Sequence, residues 1–270
     1  MQTFWLYKMG NTAELDGFSP NSKVKNRKIL NPKSQITLNN QTPNNQTIKR
    51  LNNQKTNIRI EYLCLKSNHM AFTYLALGDS YTIGEQVPVF ESFPYQTIQL
   101  LRKQFSDTVF HAAEIIAKTG WTTDELLEGI VNTKINEAYD WVSLLIGVNN
   151  QYRGRDLANY REELTLLMDK AIAFAGHHPE KVFVLGIPDW GVTPFAEGRD
   201  RAQIASDIDA YNKAVEDITQ SKGCHFIELT TSQRKDGDKK EFLAGDGLHP
   251  SGLEYQKWAI ALSHAIAKQL

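Results

Sequence analysis

The chain has 270 residues, room for one large domain or two small ones. Its hydrophobic share of 41% and charged share of 23% are those of an ordinary globular protein, and no run approaches the roughly 18 apolar residues a membrane span needs. The net charge of −1 hides a division: residues 1–69 hold 11 Lys+Arg against 3 Asp+Glu, leaving 19 basic and 28 acidic residues for the remainder.

The first 69 residues are rich in Asn, Gln, Lys and Thr, as in Asn39-Asn40-Gln41-Thr42-Pro43, with no sustained apolar period. Such a segment buries too little surface to offset its ordering entropy, so residues 1–69 are read as a disordered basic extension. The basic residues are dispersed rather than clustered, which argues against a nucleic-acid arm. Arg is sparse for a transit peptide, and Phe4-Trp5-Leu6-Tyr7 is too short for the apolar core of a secretory signal. Met70 stands immediately before the first strand and offers an alternative start, with the arm an extension not native to the protein. Cytoplasm is the expected location. Cys64 and Cys224 have neither CxxC spacing nor a neighbouring His pair, so both are read as free thiols and no metal is expected.

From residue 70 onward, strand-like and helical segments alternate. Short apolar runs at residues 72–77, 109–117, 141–146, 182–187 and 225–229 read as strands. Helical spacing marks residues 95–105 (Ile98, Leu101, Phe105) and 124–135 (Leu127, Ile130, Val131). It recurs over residues 157–174, 204–218 and 252–268, the last placing Tyr255, Trp258, Ala259, Leu262 and Ile266 on one side. Thr122 to Glu125 and Ser251 to Glu254 both fit S/T-x-x-E capping boxes. Five successive βα units predict an α/β domain over residues 70–270, a parallel sheet covered by helices on both faces. Right-handed crossovers then gather the βα loops at one edge.

The residues at that edge carry the chemistry. The first strand ends in Gly78-Asp79-Ser80, the second is followed by Gly120, the third by Asn149, and Asp246-Gly247-Leu248-His249 precedes the last helix. A hydroxyl, a glycine amide, a carboxamide and an Asp/His pair are the parts acyl transfer needs: nucleophile, donors for the oxyanion, and an oriented base. Taken singly, each has a plainer reading. Ser80 caps the next helix, Gly120 makes a turn, Asn149 an Asx-turn, and Asp246-Gly247 is an ordinary turn dipeptide. Their shared place on one rim is what those readings do not explain.

This set resembles the SGNH, or GDSL, hydrolases over about residues 71–270. The resemblance implies the flavodoxin-like three-layer α/β/α fold of that family, with a five-stranded parallel sheet. Gly78-Asp79-Ser80 is similar to the first block, with Ser80 as nucleophile. Gly120 and Asn149 match the second and third blocks, implying an oxyanion hole of the Ser80 and Gly120 N–H groups and the Asn149 carboxamide. Asp246 and His249 match the last block, as orienter and base. One departure stands out: the third block usually reads Gly-x-Asn-Asp, and Asn150 replaces its Asp here. An effect on rate or loop geometry is expected.

The implied activity is serine-dependent hydrolysis of carboxylic esters, without cofactor, on a small acyl-ester or lipid-like substrate. Lysophospholipase, thioesterase and carbohydrate acetylesterase activities remain alternatives within the family, and a catalytically silent binding module is the alternative from another class. Tyr81, Trp121, Tyr152, Trp190 and Phe195 are candidate substrate-binding aromatics. Arg153 and Arg155 read either as solvated charges or as partners of an anionic leaving group. A nucleotide site is disfavoured, because Gly78 to Glu85 lacks the Gly-Lys-Ser/Thr ending of a phosphate loop.

Overall fold

The structure, a computed structural model, describes residues 71–270. The extension at residues 1–69, with Cys64, and the alternative start at Met70 lie outside the described residues. The elements run β1 (Ala71–Phe72), β2 (Tyr74–Gly78), α1 (Ser80–Ile83), α2 (Phe93–Gln104), β3 (Val109–Phe110), β4 (Glu114–Ala117) and α3 (Thr123–Val131). Then come β5 (Trp141–Leu145), α4 (Val148–Tyr152), α5 (Leu157–Phe174), β6 (Val182–Leu185), α6 (Arg201–Ser221), β7 (His225–Ile227), α7 (Thr230–Asp236) and α8 (Gly252–Ala267).

Five of the strands form one parallel sheet in the order β4-β2-β5-β6-β7. Strand β2 lies between β4 and β5, so the chain leaves it on one side and returns on the other. That reversal makes a topological switch point, and the crevice outside the strand ends there is where open α/β sheets bind ligands. The fully buried strand residues Leu75, Leu77, Leu144 and Phe183 anchor the core. Each contributes about 1.5–3 kcal/mol by leaving water. Helices α2 and α8 pack on each other, while α3 and α6 each pack on α5. With right-handed crossovers the two groups cover opposite faces, giving the expected three layers. Among the described residues, no helix is long and apolar enough to cross a membrane.

Several expected boundaries shift, each for a local reason. The run at 72–77 breaks at Thr73, because Asp140 Oδ2 accepts from both the Thr73 N–H at 2.8 Å and its hydroxyl at 2.9 Å. β1 instead pairs with β3 as a separate two-stranded ladder, and the run at 109–117 is interrupted between β3 and β4. Helix α3 stops at Val131, where the Asn132 N–H bonds Glu128 O and the Thr133 hydroxyl donates to Gly129 O at 2.7 Å. Its buried face is also rotated from the expected one. Thr123, Leu126 and Ile130 face inward, whereas Val131 is 72% exposed. Bonds between Thr123 and the buried Asn150 hold that face inward.

Of the two expected capping boxes, only the first engages its glutamate. Glu125 accepts from the Thr122 N–H at 2.8 Å. Ser251 instead donates to Glu241 O, and Glu254 is buried, accepting from Trp258 Nε1 at 3.0 Å and pairing with Lys257 at 2.8 Å. Packing has recruited that carboxylate away from the helix start.

Candidate active site

The turn after β2 is built from Gly78 and Asp79. A Cβ on Gly78 would sit 2.1 Å from Thr82 Oγ1 and 2.4 Å from Leu145 O, so only glycine lets the turn close this tightly against β5. Asp79 caps α1: its Oδ1 accepts from the Tyr81 N–H at 3.0 Å, and its carbonyl accepts from Thr82 N at 3.0 Å and Ile83 N at 3.1 Å. Ser80 is the first residue of that helix, and the cap leaves its N–H without an acceptor inside the turn. The hydroxyl and this N–H are therefore presented together at the strand end.

His249 arrives from the loop before α8. Its Nε2 lies 3.0 Å from Ser80 Oγ, and its Nδ1 lies 2.6 Å from Asp246 Oδ2. The other carboxylate oxygen, Asp246 Oδ1, accepts from the N–H groups of Leu248 and His249, both at 3.0 Å. Partial burial pushes the Asp246 carboxyl up, but the bonds from His249 and from the Leu248 and His249 N–H groups outweigh it, and the net shift is downward. An ionised Asp246 fixes the ring with Nδ1–H toward the carboxylate and Nε2 toward Ser80.

The other rim residues form one hydrogen-bonded unit. Gly120 has φ +84°, a left-handed conformation that side chains rarely adopt. Arg153 donates to the Gly120 carbonyl at 2.5 Å and pairs with Glu125 at 3.4 Å. Asn149 donates from Nδ2 to Trp121 O at 3.0 Å and, more weakly, to Asp79 Oδ2 at 3.4 Å. Asn150 is fully buried; it accepts from the Thr123 N–H at 3.1 Å and donates to the Thr123 hydroxyl at 2.7 Å, which donates in turn to Glu163.

Ser80 and His249 open onto a cavity of about 200 Å³, lined also by Tyr81, Thr119, Gly120, Val148, Asn149, Tyr152, Trp190, Phe195 and Leu248. Four of the five candidate aromatics are here. Tyr81 is buried beneath His249, with ring centroids 5.3 Å apart. Trp190 is the buried floor of an aromatic cluster, edge-on to Tyr152 at 5.3 Å and to Phe195 at 6.1 Å. Trp121 is the exception: its ring lies on Gly129 of α3, so close that a Cβ there would fall 2.2 Å away, and it does not line the cavity. Arg153 and Arg155 pair with Glu125 and Asp124 across the rim. Among the described residues no cluster of three His, Cys, Asp or Glu is placed to hold a metal ion.

Two contributors escaped sequence reasoning. Asp79 was visible within the Gly-Asp-Ser turn, yet its second partner, Asn149, lies 70 positions away. Burial pushes its carboxyl up to about 7, against the bonds from Tyr81 N and Asn149. Gln151 was not singled out either. It accepts from Trp190 Nε1 at 2.7 Å, and Arg201 holds the same loop through Gly191 O and Thr193 O at 2.8 and 3.0 Å.

A profile of the GDSL-like lipase/acylhydrolase family matches residues 76–257, well over half of the chain and inclusive of every rim residue above. The fold is similar to the lipase/acylhydrolase from Enterococcus faecalis, at 21% identity over 74% of this chain and 97% of that one, TM-score 0.57. It is also similar to Axe2, an acetylxylan esterase from Geobacillus stearothermophilus, at 20% identity over 72% and 94%, TM-score 0.57. An extracellular lipase from Streptomyces rimosus matches at 20% identity over 72% and 99%, TM-score 0.55. At these identities the likeness is one of fold. Comparison with curated proteins finds no match.

Proposed function

The chain belongs to the GDSL-like lipase/acylhydrolase family, and from that membership and its rim geometry we propose that it is a serine-dependent hydrolase of carboxylic esters with small acyl groups. The observation that carries this reading is the unbroken run Ser80 Oγ, His249, Asp246, at 3.0 and 2.6 Å, opening onto an apolar cavity. His249 Nε2 takes the Ser80 proton as Oγ attacks the ester carbonyl carbon. The oxyanion meets the N–H groups of Ser80 and Gly120 and the Asn149 carboxamide, whose weak bond to Asp79 is the one to give way. Collapse breaks the bond to the leaving oxygen, which receives the proton from His249. Water, deprotonated by the same nitrogen, then releases the acyl group from Ser80.

The size of the cavity supports the small acyl group. About 200 Å³ is below the roughly 300–1,000 Å³ of pockets that enclose drug-sized ligands, and the buried Trp190 closes its floor. Acetyl to butyryl esters are the expected substrates, ahead of long-chain lipids. Hydrolysis of p-nitrophenyl acetate and butyrate, with Ser80→Ala as control and labelling of Ser80 by a fluorophosphonate, tests the reading. Wild-type turnover by Ser80→Ala, or an unlabelled wild type, would sink it, and the second outcome would favour a binding module on the same fold.

A further inference from the structure

We propose that Arg199 is a recognition site for an anionic group, a carboxylate or phosphate, carried by the substrate at the mouth of the Ser80 cavity. This rests on the ester-hydrolase reading above and specifies its substrate class. The Arg199 guanidinium carbon lies 5.1 Å from the ring centre of Tyr152, 5.4 Å from that of Trp190 and 5.9 Å from that of Phe195. All three rings line the Ser80 cavity. Tyr152 and Phe195 are 44% and 41% exposed, which puts the guanidinium at the cavity's outer edge.

The charge of Arg199 is held but not neutralised. Among the described residues, Arg153, Arg155, Arg161 and Arg234 each pair with a carboxylate. Arg102 and Arg201 spend their N–H groups on backbone carbonyls. Among the described residues the Arg199 side chain makes neither kind of bond; its one hydrogen bond there is to the Tyr152 hydroxyl at 3.2 Å. Stacking on aromatic faces fixes the plane of a guanidinium without consuming its charge or most of its N–H edge. That edge matches the two oxygens of a carboxylate or phosphate. The apolar cavity offers such a group no place inside, so the acyl end enters and the anion stays at the mouth.

A pair of acetate esters differing in charge reads this directly: 4-acetoxybenzoate and its neutral methyl ester, compared by kcat/KM in wild type, Arg199→Gln and Arg199→Lys. A second pair, p-nitrophenyl hemisuccinate and p-nitrophenyl butyrate, places the anion on the acyl side. Arg199→Gln should lower the anionic-to-neutral preference in at least one pair by about three- to tenfold, the size of a charge-assisted bond at a partly exposed site. Arg199→Lys should recover part of it, and added salt should compress the wild-type preference. A preference unchanged by Arg199→Gln in both pairs overturns the inference, even if absolute rates fall, because an arginine that only packs the aromatic wall slows charged and neutral esters alike. If wild type hydrolyses none of these esters, the ester-hydrolase reading itself fails.

Discussion

Arg153 grips the carbonyl oxygen of Gly120, donating to it at 2.5 Å. A carbonyl pinned in this way holds the turn whose glycine N–H is proposed to meet the oxyanion. Arg153 touches no reacting atom in the proposed mechanism, so it is a positioning residue. Arg153→Ala should lower kcat about three- to tenfold with little change in KM, since the donor it orients works in the transition state. Steady-state kinetics on p-nitrophenyl acetate separates the two parameters. A rise in KM alone would place Arg153 in ground-state binding instead.

Asn150, the departure from the family pattern, is explained by the direction of its hydrogen bonds. Its Nδ2 donates to the Thr123 hydroxyl at 2.7 Å, and that hydroxyl gives its single proton to Glu163. Asn150→Asp would leave two carboxylates competing for one hydroxyl proton, with one left short in a buried site. We expect a loss of about 1–3 kcal/mol. The loss should grow with pH, because burial raises the new carboxyl above its unfolded value and the protonated form escapes the conflict. Urea denaturation of both proteins at pH 5 and pH 8 measures this, and an equal deficit at both would contradict it.

Much of the rim was legible because its parts sit at strand ends or close together in the chain. Ser80 follows a fully buried apolar strand, and Asp246 and His249 are three residues apart, so their bond is local. The five long helices were readable from their apolar period. What escaped notice depended on tertiary partners. Helices α1 and α4, with 4 and 5 residues, are too short to show a period. The rotated face of α3 is set by the bonds between Thr123 and Asn150, 27 residues apart. Glu254 fitted a capping box by spacing but went to Trp258 and Lys257. The aim of Trp121, on a loop with no periodicity, had no signal in the sequence at all.

Asp79 makes stability depend on pH in a predictable direction. Burial lifts its carboxyl from the ordinary 3.8 to about 7. The folded protein therefore binds a proton over that window which the unfolded chain does not. Stability from this group is fully present below pH 3.8 and lost as pH rises through 7. A change of this size corresponds to at most about 4 kcal/mol. Asp79→Asn keeps an oxygen to accept from the Tyr81 N–H and cannot ionise. It should flatten the fall in unfolding free energy between pH 5 and pH 8 relative to wild type. A slope as steep in the variant would assign the pH dependence to other groups.

Phe195 is the part of the cavity's aromatic wall that can be removed at least cost. Its ring is 41% exposed and meets Trp190 at 6.1 Å, while its N–H bonds Gly247 O at 3.2 Å, in the turn between Asp246 and His249. Phe195→Ala deletes the ring and keeps that backbone tie, so Asp246 and His249 stay in place. Trp190→Ala would also strip the buried Gln151 of its partner and confuse a pocket effect with a folding one. Opening the mouth through Phe195 should therefore raise kcat/KM for p-nitrophenyl octanoate relative to acetate by roughly tenfold, the effect of relieving a clash with one or two methylenes. A ratio that stays flat or falls would mean that the acyl chain does not run along this wall, and that the leaving group occupies the aromatic side.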